Sequence, residues 1–368
     1  MKNKSAFLYV YKAANLGDDL FVHAITRRYP DVQFYTWADG VKPSAFSAIG
    51  SLKELNPESA LICALRAIRP SLAARYKTWL EKRCDAVVYI GGSLFIEYEK
   101  WPQILNWWEH AATQYRFFVL GANFGPYTSE AYRARLETIF ARMQDVCFRD
   151  TYSRSKFSAC PNVRCAPDIL FGYPMPKVET CRKQVLFSVI HCGRKDEGRN
   201  ALAAYHQSYV AAMAQLLRGY WQDGFECVLS SFCRAEGDEE AIGEILLAAG
   251  FAASDERIRV LCYHGANAEE ILSAIAQSQE VIATRFHAAI LALAAGRPVF
   301  PVVYSDKTIR VLEDIRFEGG YADLRDGKQI SYEQARANCK TVDLQILDTL
   351  KRKAQQHFER LDALLIQE

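Results

Sequence analysis

The sequence has no Cys-x-x-Cys pair, no excess of either charge, and no apolar run of the ~20 residues that a membrane-spanning helix needs. Its eleven cysteines are odd in number and scattered. They read as reduced, mostly buried thiols of a cytoplasmic protein rather than a disulfide frame or a zinc site. The 45 Lys and Arg against 43 Asp and Glu leave a net charge of +2 with no basic tract, which argues against nucleic acid as a partner. The chain also lacks G-x-G-x-x-G, G-x-x-x-x-G-K-[ST] and H-E-x-x-H. No dinucleotide, P-loop nucleotide, metal or other cofactor is therefore expected. The opening "MKNKSAFLYVYKAANLGDD" holds an apolar run of strand length only, so it reads as a first strand and not as a signal peptide. Peripheral contact with a membrane surface stays open, and with it a place at the inner face of the membrane.

What is present is core-forming residue in quantity: 50% of 368 residues are apolar, enough for two cores. Short β-rich runs ("SAFLYVY", "DVQFYTW", "DAVVYI", "RFFVL", "DVCF") alternate with helical patterns, and the style resumes with "QVLFSVI", a long helix from about Asn200 to Tyr220, "FECVLSSF", "RIRVLCY", "EVIATRF" and "PVFPVVY". This alternation predicts βαβ units on parallel sheets. The turn-rich joint near residues 172–183, with Pro174 and Pro176, marks the linker. The expected fold is α/β, with two Rossmann-like domains (1–175 and 183–340) facing a cleft. An amphipathic C-terminal helix (341–368) would pack back across them.

In such sheets ligands bind beyond the carboxyl ends of the strands, where the βα loops and helix N-termini gather. Polar residues follow the apolar runs there repeatedly: Asn15, Gly17 and Asp18; Gly91 and Gly92; Asn123 between Gly121 and Gly125; Arg149 and Asp150; Asp168 after Ala166-Pro167. Each could be turn or cap chemistry alone. "EVIATRF" places Arg285, Phe286 and His287 at a strand end and first helical turn, ahead of an alanine-rich helix stopped by Gly296 and Pro298. Lys307 follows the next strand. Two cations and a titratable imidazole on one edge suit a small, doubly anionic ligand. The structural alternatives are that Arg285 pairs with a carboxylate such as Asp168, that His287 is a satisfied helix-start histidine, and that Lys307 is a solvated turn residue. His23, His110, His206 and His357 lie within helical patterns and read as structural, whereas His191 and His264 follow strands and are secondary candidates.

The ordered set Asn15-x-Gly17-Asp18, Gly91-Gly92, Gly121-Ala122-Asn123-Phe124-Gly125-Pro126, Arg149-Asp150, Ala166-Pro167-Asp168, Arg285-x-His287 and Tyr304-x-x-Lys307 resembles the polysaccharide pyruvyl transferases, over about residues 10 to 310. Ser93 stands where a third glycine is common in that family. The resemblance implies a glycosyltransferase-B-like fold and transfer of a pyruvyl group from phosphoenolpyruvate onto two sugar hydroxyls as a cyclic ketal. It places phosphoenolpyruvate against Arg285 and Phe286, with Arg149 and Lys307 also implicated, and links His287 to catalysis. The acceptor sugar, a lipid-linked oligosaccharide being one form, is expected on the N-terminal side near Asn15, Gly17, Gly91, Gly92, Asn123 and Asp168.

The chemistry of the residues agrees. Phosphoenolpyruvate carries a carboxylate and a phosphate that cations would hold. His287 as imidazolium would be the general acid, and Asp18 the base for a hydroxyl proton. The rival reading is a nucleotide-sugar glycosyltransferase of the same fold, for which the acidic stretch "SSFCRAEGDEEAIGE" could grip a ribose. That stretch reads more simply as a capped and solvated helix.

Overall fold

The computed structural model describes residues 4–38, 45–194, 202–328 and 330–366. It divides into two compact units. The first comprises Met1–Lys12, Phe21–Ile169 and Gln355–Glu368; the second comprises Ala13–Leu20 and Leu170–Ala354.

The first unit holds strands β1 (Ser5–Tyr9), β2 (Gln33–Trp37), β3 (Leu52–Leu55), β4 (Ala86–Ile90), β5 (Phe117–Ala122), β6 (Asp145–Phe148) and β7 (Val163–Cys165). They form one parallel sheet in the order β3-β2-β1-β4-β5-β6-β7. The order reverses between β1 and β4, the switch point at which doubly wound sheets open a crevice. All six residues of β5 are buried, as strands covered on both faces require. The core is aromatic: Phe95 meets Phe140 edge-on at 4.9 Å, and Phe140 meets Phe157 likewise at 4.8 Å.

The second unit repeats the scheme with β8 (Arg182–Ser188), β9 (Glu226–Ser231), β10 (Ile258–Cys262), β11 (Ser278–Ala283), β12 (Val299–Val303) and β13 (Ala322–Asp323). They run parallel in the order β10-β9-β8-β11-β12-β13, which reverses between β8 and β11. Helix Phe286–Ala294 follows β11, and every residue of it except His287 is buried. Its alanines keep it slim against the sheet. The helix stops at Gly296, whose φ of 69° lets the amides of Gly296 and Arg297 turn back to the carbonyls of Leu293 and Ala292.

Three expectations are revised. The long helix after β8 runs from His206 to Gln222 behind a short 3₁₀ turn at Leu202–Tyr205, and Asn200 lies outside the described residues. Between β2 and β4, where no element was foreseen, stand β3 and the helices Ala60–Ile68 and Pro70–Lys82. The C-terminal helix is not continuous: Leu344–Ala354 is helical, Gln355–Phe358 is a 3₁₀ turn, and Glu359–Leu365 is helical again.

The break has a polar cause within the first unit. His357 is fully buried and its Nε2 lies 2.9 Å from the carbonyl of Pro167, while Arg164 donates to the His357 carbonyl at 2.6 Å and to Asp145 at 2.7 Å. Asp362 accepts from Arg28 at 2.8 Å and from Tyr29 Oη at 2.7 Å. Burial, reinforced by the positive charge of Arg164, depresses the His357 pKa to about 3. The unfolded imidazole binds a proton below about 6.5 and the folded one does not, so this group removes stability as pH falls from about 6.5 toward 3. In urea titrations His357→Gln should therefore lose less stability than the parent between pH 7 and pH 5, by about 2 kcal/mol. Parallel pH profiles for the two proteins would show that His357 is protonated in the fold.

Candidate active site

The predicted residues fall into two sets, one in each unit. In the first unit, Gly91 and Gly92 follow β4, Asn123 follows β5, Arg149 follows β6, and Asp168 lies three residues beyond β7. Arg149 is buried and donates to Asp168 at 3.0 Å and to the Asn123 side chain at 2.7 Å. Asn123 in turn gives its amide to the Gly92 carbonyl at 2.8 Å. A Cβ on Gly92 would stand 2.8 Å from Arg149 Nη1, so glycine is what allows the guanidinium to lie there. Asp150 caps the short helix Thr151–Ser155 by accepting from the Ser153 amide at 2.7 Å. Arg149 is thus the hub of the first unit's loops around it, joined there with Asp168 and Asn123.

The second set lies in the second unit, and its organiser is a residue read from sequence as a solvated helix start. Asp238 is fully buried at the N-terminus of helix Asp238–Ala249. One of its oxygens accepts from the amides of Phe232 and Cys233 at 3.0 and 2.9 Å and from Arg285 Nε at 3.0 Å; the other takes Arg285 Nη2. Arg285 Nη1 is held by Glu236. Burial opposes the guanidinium charge, but Asp238 and Glu236 outweigh it and raise the Arg285 pKa above its ordinary value. The alternative of a carboxylate partner for Arg285 holds, with Asp238 and Glu236 in the place of Asp168. Beneath it, Ser188 Oγ accepts the Arg285 amide at 3.2 Å, and Thr284 meets the buried Tyr209 hydroxyl at 3.0 Å.

The segment Asn15-x-Gly17-Asp18 was expected on the N-terminal, acceptor side; it belongs instead to the second unit. The reason is backbone pairing. Asn15 forms an antiparallel bridge with Cys233, and the Leu16 amide donates to the Phe232 carbonyl at 3.0 Å. Asn15 Oδ1 accepts the Gly17 amide at 3.1 Å, and the buried Asp19 accepts from the Tyr263 hydroxyl at 2.7 Å. Burial and the Asp19 carboxylate together push the Tyr263 pKa up. This leaves Asp18, half-buried in the same turn, as the aspartate that solvent reaches.

His287 closes the ring. Its imidazole lies against Gly17 so tightly that a Cβ there would be 1.8 Å from Nδ1 and 2.4 Å from Cγ. Its ring centroid is 5.0 Å from that of Phe286. Lys307, in the first turn of helix Asp306–Asp314, holds its ammonium 5.9 Å from the centroid of Phe286 and 5.8 Å from that of Tyr304. An imidazole at a helix N-terminus, with an ammonium over the neighbouring ring, can deliver a proton beside a bound anion.

Sequence reasoning missed Glu236, Asp238, Tyr263 and Tyr209. The acidic stretch carried the signal in that three carboxylates open one helix, but only the fold shows which of them turns inward. Among the described residues, the group able to hold a metal ion is His191, His206 and Glu244, whose ligand atoms all lie within 4.8 Å of one another. The two rings stack at 4.1 Å, and Glu244 lies 2.5 Å from His206 Nε2. His191 lies in the loop after β8 and His206 and Glu244 on two different helices, so no metal-ligand spacing marks them in sequence. His264 is exposed and stands apart from these contacts, its amide bonded to Asn267 Oδ1 at 3.0 Å.

Two doubly wound units with polar residues at the carboxyl ends of their strands define a fold of the glycosyltransferase-B type. The family model for polysaccharide pyruvyl transferases matches residues 15–306, and the chain belongs to that family. Among solved structures, HepE of Anabaena in complex with UDP and glucose is similar with a TM-score of 0.55 at 11% identity, covering 99% of this chain and 97% of that one. UDP-GlcNAc 2-epimerase from Neisseria meningitidis bound to UDP-GlcNAc is similar with a TM-score of 0.57 at 9% identity, covering 97% and 99%. At such identities the likeness concerns the fold alone. No curated protein sequence matches the chain.

The contact between Gly17 and His287 has a direct consequence. Gly17→Ala should leave the fold intact at a cost of about 1–3 kcal/mol while driving the imidazole from its seat. Heteronuclear NMR of the histidine rings should show the His287 resonances moved and those of His264 unmoved. Unchanged His287 resonances would contradict the packing described.

Proposed function

We propose that the chain transfers a pyruvyl group from phosphoenolpyruvate to two hydroxyls of a sugar, forming a cyclic ketal and releasing phosphate. The observation that supports this reading best, beside family membership, is the seating of His287 against Gly17, with the Lys307 ammonium over the adjoining Phe286 ring.

The reaction begins by protonating the methylene carbon of phosphoenolpyruvate, which becomes a methyl group and leaves C2 electrophilic. His287, as imidazolium, gives that proton. A sugar hydroxyl adds to C2 and loses its proton to a carboxylate, the role given to Asp18. The C2–O bond to phosphate then breaks with its electron pair on the departing phosphate, and the second hydroxyl adds to C2 to close the ketal, its proton passing to the phosphate released. Lys307 offsets charge on the phosphate. Arg285 is assigned the substrate carboxylate on its Nη1 edge, at the partly exposed Glu236, while Asp238 keeps the rest of the guanidinium in place. In the first unit, Gly91, Gly92, Asn123 and Asp168, ordered around Arg149, form the candidate acceptor loops.

The UDP-bound structures of the same fold do not transfer their substrates to this chain, because one fold hosts many reactions. The test is incubation with phosphoenolpyruvate and a panel of lipid-linked and nucleotide-linked oligosaccharides, following phosphate release and a mass gain on the sugar. His287→Gln should lower turnover by about 10²- to 10⁴-fold while phosphoenolpyruvate binding changes little. Lys307→Met should weaken that binding. Full activity in His287→Gln, or consumption of a nucleotide sugar with no response to phosphoenolpyruvate, would overturn the proposal.

A further inference from the structure

Helix Ala60–Ile68, "ALICALRAI", turns its apolar face the wrong way for a core element. Leu61, Ala64, Leu65 and Ile68 recur at i, i+3, i+4 and i+7 and so share one face. Surface helices normally bury such a face. Here the residue that enters the core is Ile62, only 1% exposed and about 100° round the helix from Leu61, whereas Leu61 is 51% and Ile68 75% exposed. The chain then turns a corner: Pro70 disfavours a helical residue before it, Arg69 is extended with φ −162° and ψ 124°, and helix Pro70–Lys82 starts at once. That second helix adds Trp79, 49% exposed, stacked on Tyr76 at 5.6 Å and covered by the Arg83 guanidinium at 4.8 Å.

The charge around this apolar surface has one sign. Residues 57–83 carry Arg66, Arg69, Arg75, Lys77, Lys82 and Arg83 against two acids, Glu58 and Glu81. Glu58 pairs with Arg66 at 2.8 Å. Glu81 is buried and faces inward, accepting from Tyr9 at 2.6 Å, from Trp37 at 2.8 Å and from Tyr115. The net +2 of the chain is therefore not evenly spread: this pair of helices shows solvent apolar residues, an exposed indole and basic groups. No helix among the described residues is long and apolar enough to cross a membrane.

We infer that helices Ala60–Ile68 and Pro70–Lys82 form a docking surface for an anionic phospholipid membrane, with Leu61, Ile68 and Trp79 entering the headgroup region and the arginines and lysines at the anionic surface. An indole with an apolar body and a polar N–H suits that depth, and basic side chains bring their charge to the headgroups while their stems lie on the apolar layer. Exposed aliphatic residues and an indole ringed by basic groups match anionic headgroups over an acyl layer, and this combination selects the lipid surface.

The full chain is tested by co-sedimentation with vesicles of phosphatidylcholine alone and of phosphatidylcholine mixed with phosphatidylglycerol. The assay involves neither phosphoenolpyruvate nor sugar, so its outcome is separate from that of the proposed reaction. The parent protein should sediment with the mixed vesicles, fail to do so with the neutral ones, and be released by salt. Ile68→Glu, and separately Arg75→Ser with Lys82→Ser, should each weaken binding by about tenfold or more. These positions are exposed, so thermal melting should be unchanged; Leu61→Gln gives an independent reading at the same face. Equal binding to both vesicle types, no binding to either, or binding indifferent to Ile68→Glu would overturn the inference. Concentration-dependent self-association abolished by Ile68→Glu, without vesicle binding, would assign the face to a second copy of the chain instead.

Discussion

One buried carboxylate organises the second unit. Asp238 joins the amides of Phe232 and Cys233 to the guanidinium of Arg285, and those same two residues carry the backbone pairing that brings Asn15 and Leu16 alongside. Arg285 stands immediately before helix Phe286–Ala294, and His287 in its first turn leans back on Gly17. The sequence positions 15–17, 232–238 and 285–287 thus form a closed loop of contacts. Breaking a buried ion pair by removing one partner typically costs about 3–5 kcal/mol, because the remaining charge stays buried without compensation. The same pairing holds the Arg285 pKa above its ordinary value, since burial alone would favour the neutral form and the two carboxylates reverse that.

This arrangement separates buried holding groups from half-buried titratable ones. Asp238 and Tyr263 fix the backbone and the buried Asp19, while His287, Lys307 and Asp18 are the groups left at intermediate depth. For the reaction proposed above, preorganisation of this kind would let a proton donor and a cation meet a small dianion without reordering the loops. Gly17 is what lets the imidazole keep its seat: the space a methyl group would take is occupied by the ring. In the first unit, Gly92 does the same for Arg149.

Much of the architecture was legible from alternation. β-rich runs separated by helical patterns give parallel sheets, and polar residues after those runs fall at the carboxyl edge in both units. The strand end at Ala283, the helix start at Phe286 and the stop at Gly296 are local features written in local sequence. What was not legible depends on contacts between distant positions. Nothing near Asp238 distinguishes it from Glu239 or Glu240, although it alone of the three turns into the core. The docking of Asn15 on Cys233 spans more than two hundred residues and moves an expected N-terminal loop into the other unit. The 3₁₀ break at Gln355–Phe358 reflects burial of His357 against Pro167, which an amphipathic pattern cannot reveal. Helix Ala60–Ile68 carries a helical apolar spacing in its sequence, but that spacing does not show that the face stays in solvent.

The account turns on His287 delivering a proton to carbon. Running the reaction in D₂O with phosphoenolpyruvate and a competent sugar acceptor, and examining the product by mass spectrometry and NMR, tests this most directly. The account predicts a ketal whose methyl group carries one solvent-derived deuterium per transfer, formed by the parent protein and lost in His287→Gln. A ketal with an undeuterated methyl group, or deuterated product formed equally well without the imidazole, would contradict it.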